Sequence, residues 1–302
     1  MKPRPWLSGA VASLLLVCLS LSANAATQVV TSIKPLELLV LAVADDDVEI
    51  TNLVPSGSSP HTYTMKPSQR RALQSADRVF WVGPQLESFL ARLLEGDELQ
   101  SRTIALAPKE ADDDGHNHEE AGHHDHGHDH GGTDPHVWLD PALALEMATQ
   151  IKQSLAELPD ADAAQLDKRL GGFREKLAVA ESEIREKLQP LENISLFTYH
   201  DAFRRYAEHY DLEVAGVLTL NPEVSPGARH MAEVQEQLRN ANNPCLLTEP
   251  QFQREWWRGI TSGMDITLAE WDPLAGDIAP SANGYIEFQH RIADSVLHCL
   301  QD

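Results

Sequence analysis

Residues 163–189 read AAQLDKRLGGFREKLAVAESEIREKLQ, and this stretch predicts how the rest of the chain is organised. Apolar side chains recur along it at spacings of three, four and seven residues, while glutamate and lysine fill the other face, as in an amphipathic helix. Those apolar residues are Leu166, Leu170, Phe173, Leu177, Ile184 and Leu188. Asp160 precedes the stretch as a candidate cap, and Pro190 ends it. A helix of about 27 residues measures roughly 40 Å, which is long enough to run the height of a two-lobed molecule.

On both sides of this helix, short β-branched runs alternate with helical patterns, which is typical of βαβ units and a mostly parallel sheet. We predict strands at residues 28–33, 48–54, 78–82 and 102–106 before the helix, and at 194–199, 213–218, 245–249 and 266–271 after it. Predicted helices occupy residues 35–43, 67–76, 85–94, 142–158, 202–210, 252–263 and 285–300, and another begins at Ser225-Pro226. The predicted fold is therefore α/β, with two mostly parallel-sheet lobes (residues 27–158 and 190–302) joined by one long rigid helix (residues 159–189).

The first 26 residues, MKPRPWLSGAVASLLLVCLSLSANAA, have the pattern of a secretory signal peptide. Lys2 and Arg4 precede an apolar run, and Ala23-Asn24-Ala25 fits the small-x-small cleavage pattern. The apolar run is short for a membrane anchor, which is the competing interpretation. Val17 before Cys18 does not fit a lipidation site. We therefore expect an exported chain that loses this segment.

The chain is strongly acidic, with 46 acidic residues against 24 lysines and arginines. Such a chain repels nucleic acid and anionic membrane surfaces, so neither is expected as a partner. Without the signal peptide two cysteines remain, Cys245 and Cys299. An even number in an oxidising compartment predicts one disulfide bond, and two buried free thiols are the alternative.

Four residues that can bind a metal lie at, or close after, the carboxyl ends of predicted strands, where open α/β sheets bind their ligands. They are His61, His136, His200 and Asp272. Two come from each lobe, so all four converge in the interlobe cleft if the lobes face each other. Three imidazoles with a carboxylate or a water suit tetrahedral zinc, although imidazole also suits copper, iron and nickel. The histidines interpreted as surface residues on helices are His209, His230, His290 and His298.

Six short segments carry a resemblance to a known family. They are Pro60-His61-Thr62-Tyr63, Trp81-Val82-Gly83-Pro84, Asp134-Pro135-His136-Val137-Trp138-Leu139, Asn221-Pro222-Glu223, Thr248-Glu249-Pro250-Gln251-Phe252 and Trp271-Asp272-Pro273-Leu274. These segments resemble those of the ZnuA family, the periplasmic zinc-binding proteins of zinc ABC importers within the metal-binding solute-binding protein group. The resemblance covers essentially the whole mature chain, including a histidine–acid insertion and the C-terminal cysteine pair.

The resemblance implies two lobes bridged by a rigid helix, with zinc between them. The three zinc histidines of the family match His61, His136 and His200. Relatives that bind manganese usually carry a carboxylate in place of His200, so this histidine favours zinc. Some family members have a glutamate just before the first ligand histidine, where this chain has Pro60, which cannot coordinate through its side chain. The expected fourth ligand is Asp272, as in some relatives, or a water.

By resemblance the protein is a monomer without catalytic activity that captures Zn²⁺ in the periplasm. It delivers the ion to the permease of a zinc ABC importer in the inner membrane, which works with an ATPase. One alternative is a periplasmic zinc buffer without a transporter. Another is a zinc-dependent hydrolase, with Glu249 as its base, but the sequence has no H-E-x-x-H motif.

Residues 112–132 read DDDGHNHEEAGHHDHGHDHGG and contain seven of the 14 histidines. The seven are His116, His118, His123, His124, His126, His128 and His130. Histidine-rich tracts bind metal by composition, and the acids raise the local cation concentration. With almost no apolar residues to bury, a loop over residues 109–133 is expected to be disordered and to bind each ion more weakly than a preformed site does. We expect it to collect zinc for the cleft or to sense zinc abundance, and a dispensable insertion is the alternative.

Overall fold

The computed structural model describes residues 26–108, 134–219, 227–252 and 254–300. The signal peptide up to residue 25, the histidine-rich loop at 109–133 and the predicted helix start at Ser225-Pro226 lie outside these ranges. The N-terminal sheet contains β1 (Thr27–Thr31), β2 (Val48–Asn52), β3 (Arg78–Trp81) and β4 (Thr103–Ala105). The C-terminal sheet contains β5 (Ser195–His200), β6 (Val214–Thr219), β7 (Pro244–Thr248) and β8 (Thr267–Glu270).

Both sheets are parallel throughout and have the same strand order, β2-β1-β3-β4 and β6-β5-β7-β8. The α/β class and the two parallel-sheet lobes are therefore confirmed. The helices of the N-terminal half are α1 (Lys34–Val43), α2 (Pro67–Ser75), α3 (Ser88–Leu94), α4 (Asp97–Gln100) and α5 (Pro141–Ala156). After the long helix α6 come α7 (Arg204–His209), α8 (Ala228–Asn240), α9 (Arg254–Thr261) and α10 (Gly284–Leu297). None of the described helices is long and apolar enough to cross a lipid bilayer.

The long helix α6 runs from Ala163 to Leu188. Its six predicted apolar residues are all buried, so the stripe faces the protein interior as expected. The cap is Asp162 rather than Asp160, because the helix begins at the next residue and a cap must reach the second and third helical N–H groups. The Asp162 carboxylate accepts hydrogen bonds from the backbone N–H groups of Ala164 and Gln165, both at 3.1 Å.

The two lobes share one continuous hydrophobic core, which includes residues of both sheets and of α1, α5, α6 and α10. Helix α10 follows the C-terminal sheet yet packs against α1 and α6. Gly284 permits this approach, since an added Cβ would lie only 2.7 Å from Cδ2 of Leu38 in α1. The predicted disulfide between Cys245 and Cys299 is present, and it links β7 to the turn after α10.

Candidate metal centre

Three histidines meet where the two lobes face each other. His61 lies in the loop after β2, and His136 lies in the segment after β4, directly before a 3₁₀ turn at Val137–Leu139. His200 is the last residue of β5. The centroids of the three imidazole rings are 5.1 to 5.9 Å apart. His136 and His200 are buried, and His61 is partly exposed.

The ligand atoms of this cluster have the spacing of a metal site. One ring nitrogen from each histidine lies within 4.8 Å of the other two. The Nε2 atoms of His136 and His200 are 3.3 Å apart. Two nitrogens bound to one tetrahedral zinc at about 2.05 Å are roughly 3.3–3.4 Å apart. The pair is therefore spaced as if the two nitrogens already shared one ion.

Two carboxylates, the buried Glu249 and the partly buried Asp134, determine which nitrogen of each ring can bind the ion. Nδ1 of His200 lies 2.6 Å from Oε1 of Glu249, and Nδ1 of His136 lies 2.7 Å from Oδ1 of Asp134. An ionised carboxylate only accepts hydrogen bonds, so each Nδ1 carries a proton and each Nε2 presents a lone pair. Two lone pairs 3.3 Å apart repel each other, and a cation between them removes that cost.

Burial keeps His61 and His136 in the protonation state that binds metal. It lowers the pKa of His61 to about 3, and the neighbouring His136 and His200 act in the same direction. Burial also lowers the pKa of His136, although the hydrogen bond with Asp134 opposes the shift. Burial alone would raise the pKa of Asp134, yet its hydrogen bond with His136 holds that pKa below its ordinary value. Neutral imidazole is the form that coordinates metal, so protons compete weakly for these rings.

Asp272 follows β8 as predicted, but its carboxylate is held in a turn. Oδ1 accepts hydrogen bonds from the backbone N–H of Leu274 at 2.9 Å and from Nε2 of Gln251 at 2.6 Å. Oδ2 accepts one from the backbone N–H of Gly276 at 2.7 Å. Among the described residues, the cluster that can hold a metal contains the three histidines without Asp272. The structure thus brings together three of the four predicted ligands, and Asp272 as the fourth ligand stays a prediction.

The space inside the cluster is small. A cavity of about 10 Å³ lies among the three imidazoles, Gln251 and Phe252. That is roughly the volume of one water-sized sphere. The Phe252 ring lies 5.3 Å from the His200 ring and adds an apolar wall. The cavity therefore fits a single ion and no large further ligand.

The remaining histidines lie outside the cluster. His298 is exposed, as expected of a surface residue, and His209, His230 and His290 are partly exposed. The surface interpretation did not include the partners of His209, whose Nδ1 lies 3.1 Å from Asp140 and whose Nε2 lies 2.8 Å from Glu181. Nε2 of His230 lies 3.1 and 3.2 Å from two backbone carbonyls of β6.

Comparison with known proteins gives one consistent family. The model of the family "ZnuA: Zinc-uptake complex component A periplasmic" matches residues 29–299. The high-affinity zinc uptake system protein ZnuA of Yersinia pestis is 32% identical over 312 residues, covering 98% of each chain. The protein of the same name from Haemophilus influenzae is 28% identical, covering 95% of this chain and 96% of the relative.

Solved structures agree with this result. A crystal structure of ZnuA superimposes with a TM-score of 0.70 at 25% identity, covering 89% of this chain and 99% of that one. A ZnuA deletion mutant with bound zinc superimposes with a TM-score of 0.68 at 25% identity, covering 89% of this chain and 98% of that one. The periplasmic zinc-binding protein TroA of Treponema pallidum shares the fold, with a TM-score of 0.70 at 21% identity over 89% of this chain.

Proposed function

The chain belongs to the ZnuA family, and on that premise we propose that it captures Zn²⁺ between its lobes and delivers it to the permease of a zinc ABC importer. The observation that carries the proposal is the buried cluster of His61, His136 and His200, with one nitrogen of each ring within 4.8 Å of the others. Zinc is here the transported substrate. Its ligands come from both lobes, so binding connects the two halves of the molecule.

In this proposal Nε2 of His136 and Nε2 of His200 bind the ion, and His61 supplies the third nitrogen. Asp134 and Glu249 hold the first two rings in the required tautomer. The fourth position belongs to Asp272 or to a water. The three hydrogen bonds already accepted by Asp272 favour the water.

The family supports a periplasmic location, reached through the signal peptide at residues 1–26. It also supports a partnership with an inner-membrane permease and its ATPase. We propose that the protein acts there as a monomer. A periplasmic buffer without a transporter remains the alternative, and genes for a permease and an ATPase beside this one would decide against it. Zinc-limited growth of a deletion strain, with and without the gene restored, tests transport directly.

We propose no catalytic activity. A zinc hydrolase needs a base free to activate the metal-bound water, but Glu249 is buried and engaged with Nδ1 of His200. The cavity of about 10 Å³ also has no room for an organic substrate beside the ion. Turnover of ester, peptide or phosphate substrates by the zinc-loaded protein would contradict this.

The histidine-rich loop at residues 109–133 is proposed as an accessory that collects zinc for the cleft or senses its abundance. Its composition supports metal binding, while its sites are expected to be weaker and less defined in number than the cleft. Normal uptake by a loop-deleted protein under extreme zinc starvation would contradict the collecting role.

The experiment is a competitive zinc titration, against a chelator of known affinity, of four mature proteins. These are the parent, a form lacking residues 109–133, a form with His61, His136 and His200 all changed to Ala, and a control with the helix residues His290 and His298 changed to Ala. We expect one tight site in the parent, the loop deletion and the control, and none in the triple variant. If the tight site is lost with the loop instead, the protein is a zinc buffer built around residues 112–132.

A further inference from the structure

One buried acceptor, on a residue that lines the metal cavity, has no partner among the described residues. It is Oε1 of Gln251, three residues beyond the end of β7. Gln251 lines the same small cavity as the three histidines. A buried amide oxygen without a donor costs about 1–3 kcal/mol, so the site is expected to supply a donor when it is in use.

The orientation of this amide is fixed by its neighbour. Nε2 of Gln251 donates to Oδ1 of Asp272 at 2.6 Å. A carboxylate cannot donate in return, so the amide cannot turn over without losing this bond. Asp272 is itself held by the backbone N–H groups of Leu274 and Gly276. Gly276 approaches so closely that an added Cβ would lie 2.7 Å from the Asp272 carboxylate. Asp272 therefore fixes the orientation of the Gln251 amide, and Oε1 of Gln251 keeps its capacity to accept a hydrogen bond.

Three donors that line the cavity are already engaged. The indole N–H of Trp138 donates to the carbonyl of Pro273 at 2.7 Å. The Nδ1 atoms of His136 and His200 face Asp134 and Glu249. The cavity holds about one water-sized body, so a fourth ligand of the ion must be small. A zinc with three nitrogen ligands keeps a fourth position, and a water bound there is a strong donor.

We propose that the fourth ligand of the zinc is a water that donates a hydrogen bond to Oε1 of Gln251, and that Asp272 orients the Gln251 amide instead of coordinating the ion. This rests on the proposed function, because it names the ligand that completes the same site. Gln251 is then the residue that holds the exchangeable ligand, and Asp272 is a positioning residue. A water leaves more readily than a carboxylate, which suits a protein that must release its ion to a permease.

The first test is the zinc-bound crystal structure of the mature protein. We expect an oxygen of water within about 2.0–2.2 Å of the zinc and within hydrogen-bond distance of Oε1 of Gln251. A carboxylate oxygen of Asp272 in the fourth position would overturn the proposal. If no zinc binds at the three histidines at all, the proposed function fails rather than this inference.

The second test uses zinc affinity in solution. Gln251→Leu keeps the size of the side chain and removes the acceptor, and we expect about a three- to tenfold loss of affinity. Asp272→Asn should cost less, and the double variant should lose no more than Gln251→Leu alone, since the two residues act through one contact. The matched control is Gln235→Leu, a partly buried glutamine bonded to the carbonyl of Ile260, which should bind zinc as the parent does. Additive losses at positions 251 and 272 would overturn the proposal.

The spectrum of the Co²⁺-loaded protein separates this role from coordination by Asp272. The Co²⁺-loaded parent, Gln251→Leu and Asp272→Asn should have the same four-coordinate absorption spectrum. A spectral change in Asp272→Asn alone would overturn the proposal.

Discussion

The end of the central strand differs between the two lobes, although their strand orders are the same. In the N-terminal lobe β1 is followed by Ser32, whose hydroxyl donates to the buried carboxylate of Glu87. In the C-terminal lobe β5 ends at His200, whose Nδ1 donates to the buried carboxylate of Glu249. Each lobe thus pairs the end of its central strand with a buried glutamate.

The two lobes differ in whether the residue at the strand end has a second group free to bind a metal. A serine hydroxyl has one proton, and Ser32 donates it in its hydrogen bond to Glu87. An imidazole has a second nitrogen, and that of His200 faces His136 across the cleft at 3.3 Å. Glu87 also accepts hydrogen bonds from the backbone N–H groups of Val82 and Gly83, so it closes the end of β3 inside the lobe. The same strand order therefore places a buried hydrogen bond at the end of the central strand in one lobe and a proposed metal ligand there in the other.

Of the variants that test this comparison, His200→Ala should have the largest effect, a loss of zinc affinity. Dividing the roughly 10–16 kcal/mol of a structural zinc site among four ligands gives about 3 kcal/mol each, so zinc affinity should fall about a hundredfold or more. Ser32→Ala, at the corresponding place in the other lobe, should leave the affinity within about twofold of the parent. Competitive titration of both variants measures this. Equal losses would mean that the two strand ends do not differ in function.

Glu87→Gln should change the pH dependence of stability. Burial raises the pKa of Glu87 to about 7, against the bonds from Ser32 and the backbone. The folded state therefore holds a proton that the unfolded state has released, and the parent loses stability as pH rises from about 4.5 to 7. Relative to the parent, the variant should gain on the order of 2–3 kcal/mol across this range.

Urea unfolding of the parent and Glu87→Gln at pH 4.5, 6 and 8 gives this difference directly. Glu49→Gln, at an exposed site in β2, serves as the control for changing a glutamate in the same lobe. A constant difference between parent and Glu87→Gln at all three values of pH would contradict the raised pKa.

Glu249→Gln should weaken zinc binding without removing it. An outer partner of a ligand histidine contributes about 10- to 100-fold to metal affinity, and a glutamine oxygen can still accept from Nδ1, so we expect a loss of about tenfold. Glu87→Gln is the matched control from the other lobe and should bind zinc as the parent does. An unchanged affinity in Glu249→Gln would show that the carboxylate only fills space beside His200.

The sequence predicts most of the scaffold because its signals are local. All eight strands and the long helix follow from alternation and periodicity within a few residues, and the three histidines follow from their place after strands. The start of α6 at Ala163 was predicted, but its cap was not, since Asp160 resembles a cap as much as Asp162 does.

The partners of the histidines could not be predicted in the same way. Asp134 lies two residues before His136, so a local signal existed there. Glu249 lies 49 residues from His200, and Gln251 lies 21 residues from Asp272, so only the folded sheet brings each pair together. The two carboxylate partners of His209 could not be predicted for the same reason, because Asp140 and Glu181 are distant from it in the sequence.

His209→Gln should have the smallest effect, a small change in the free energy of unfolding. His209 also contacts carboxylates, but unlike His200 it is not placed to bind a metal. His209 has both nitrogens beside carboxylates, Asp140 at the start of α5 and Glu181 on α6, so it has no lone pair left for a metal and joins the lobes instead. The hydrogen bond that His209 donates to Asp140, together with Glu181, raises the pKa of His209 despite partial burial.

A raised pKa stabilises the fold fully below the unfolded value of about 6.5, and the gain disappears as pH rises through the folded value. His209→Gln should therefore lower the free energy of unfolding by about 0.5–1 kcal/mol at pH 5.5 and by less at pH 9. Zinc affinity should not change, because no ligand is touched. Urea unfolding at both values of pH, with His298→Gln as the exposed control, measures the difference. A larger loss at pH 9 than at pH 5.5 would mean that the neutral ring, rather than the imidazolium, holds α7 against α5 and α6.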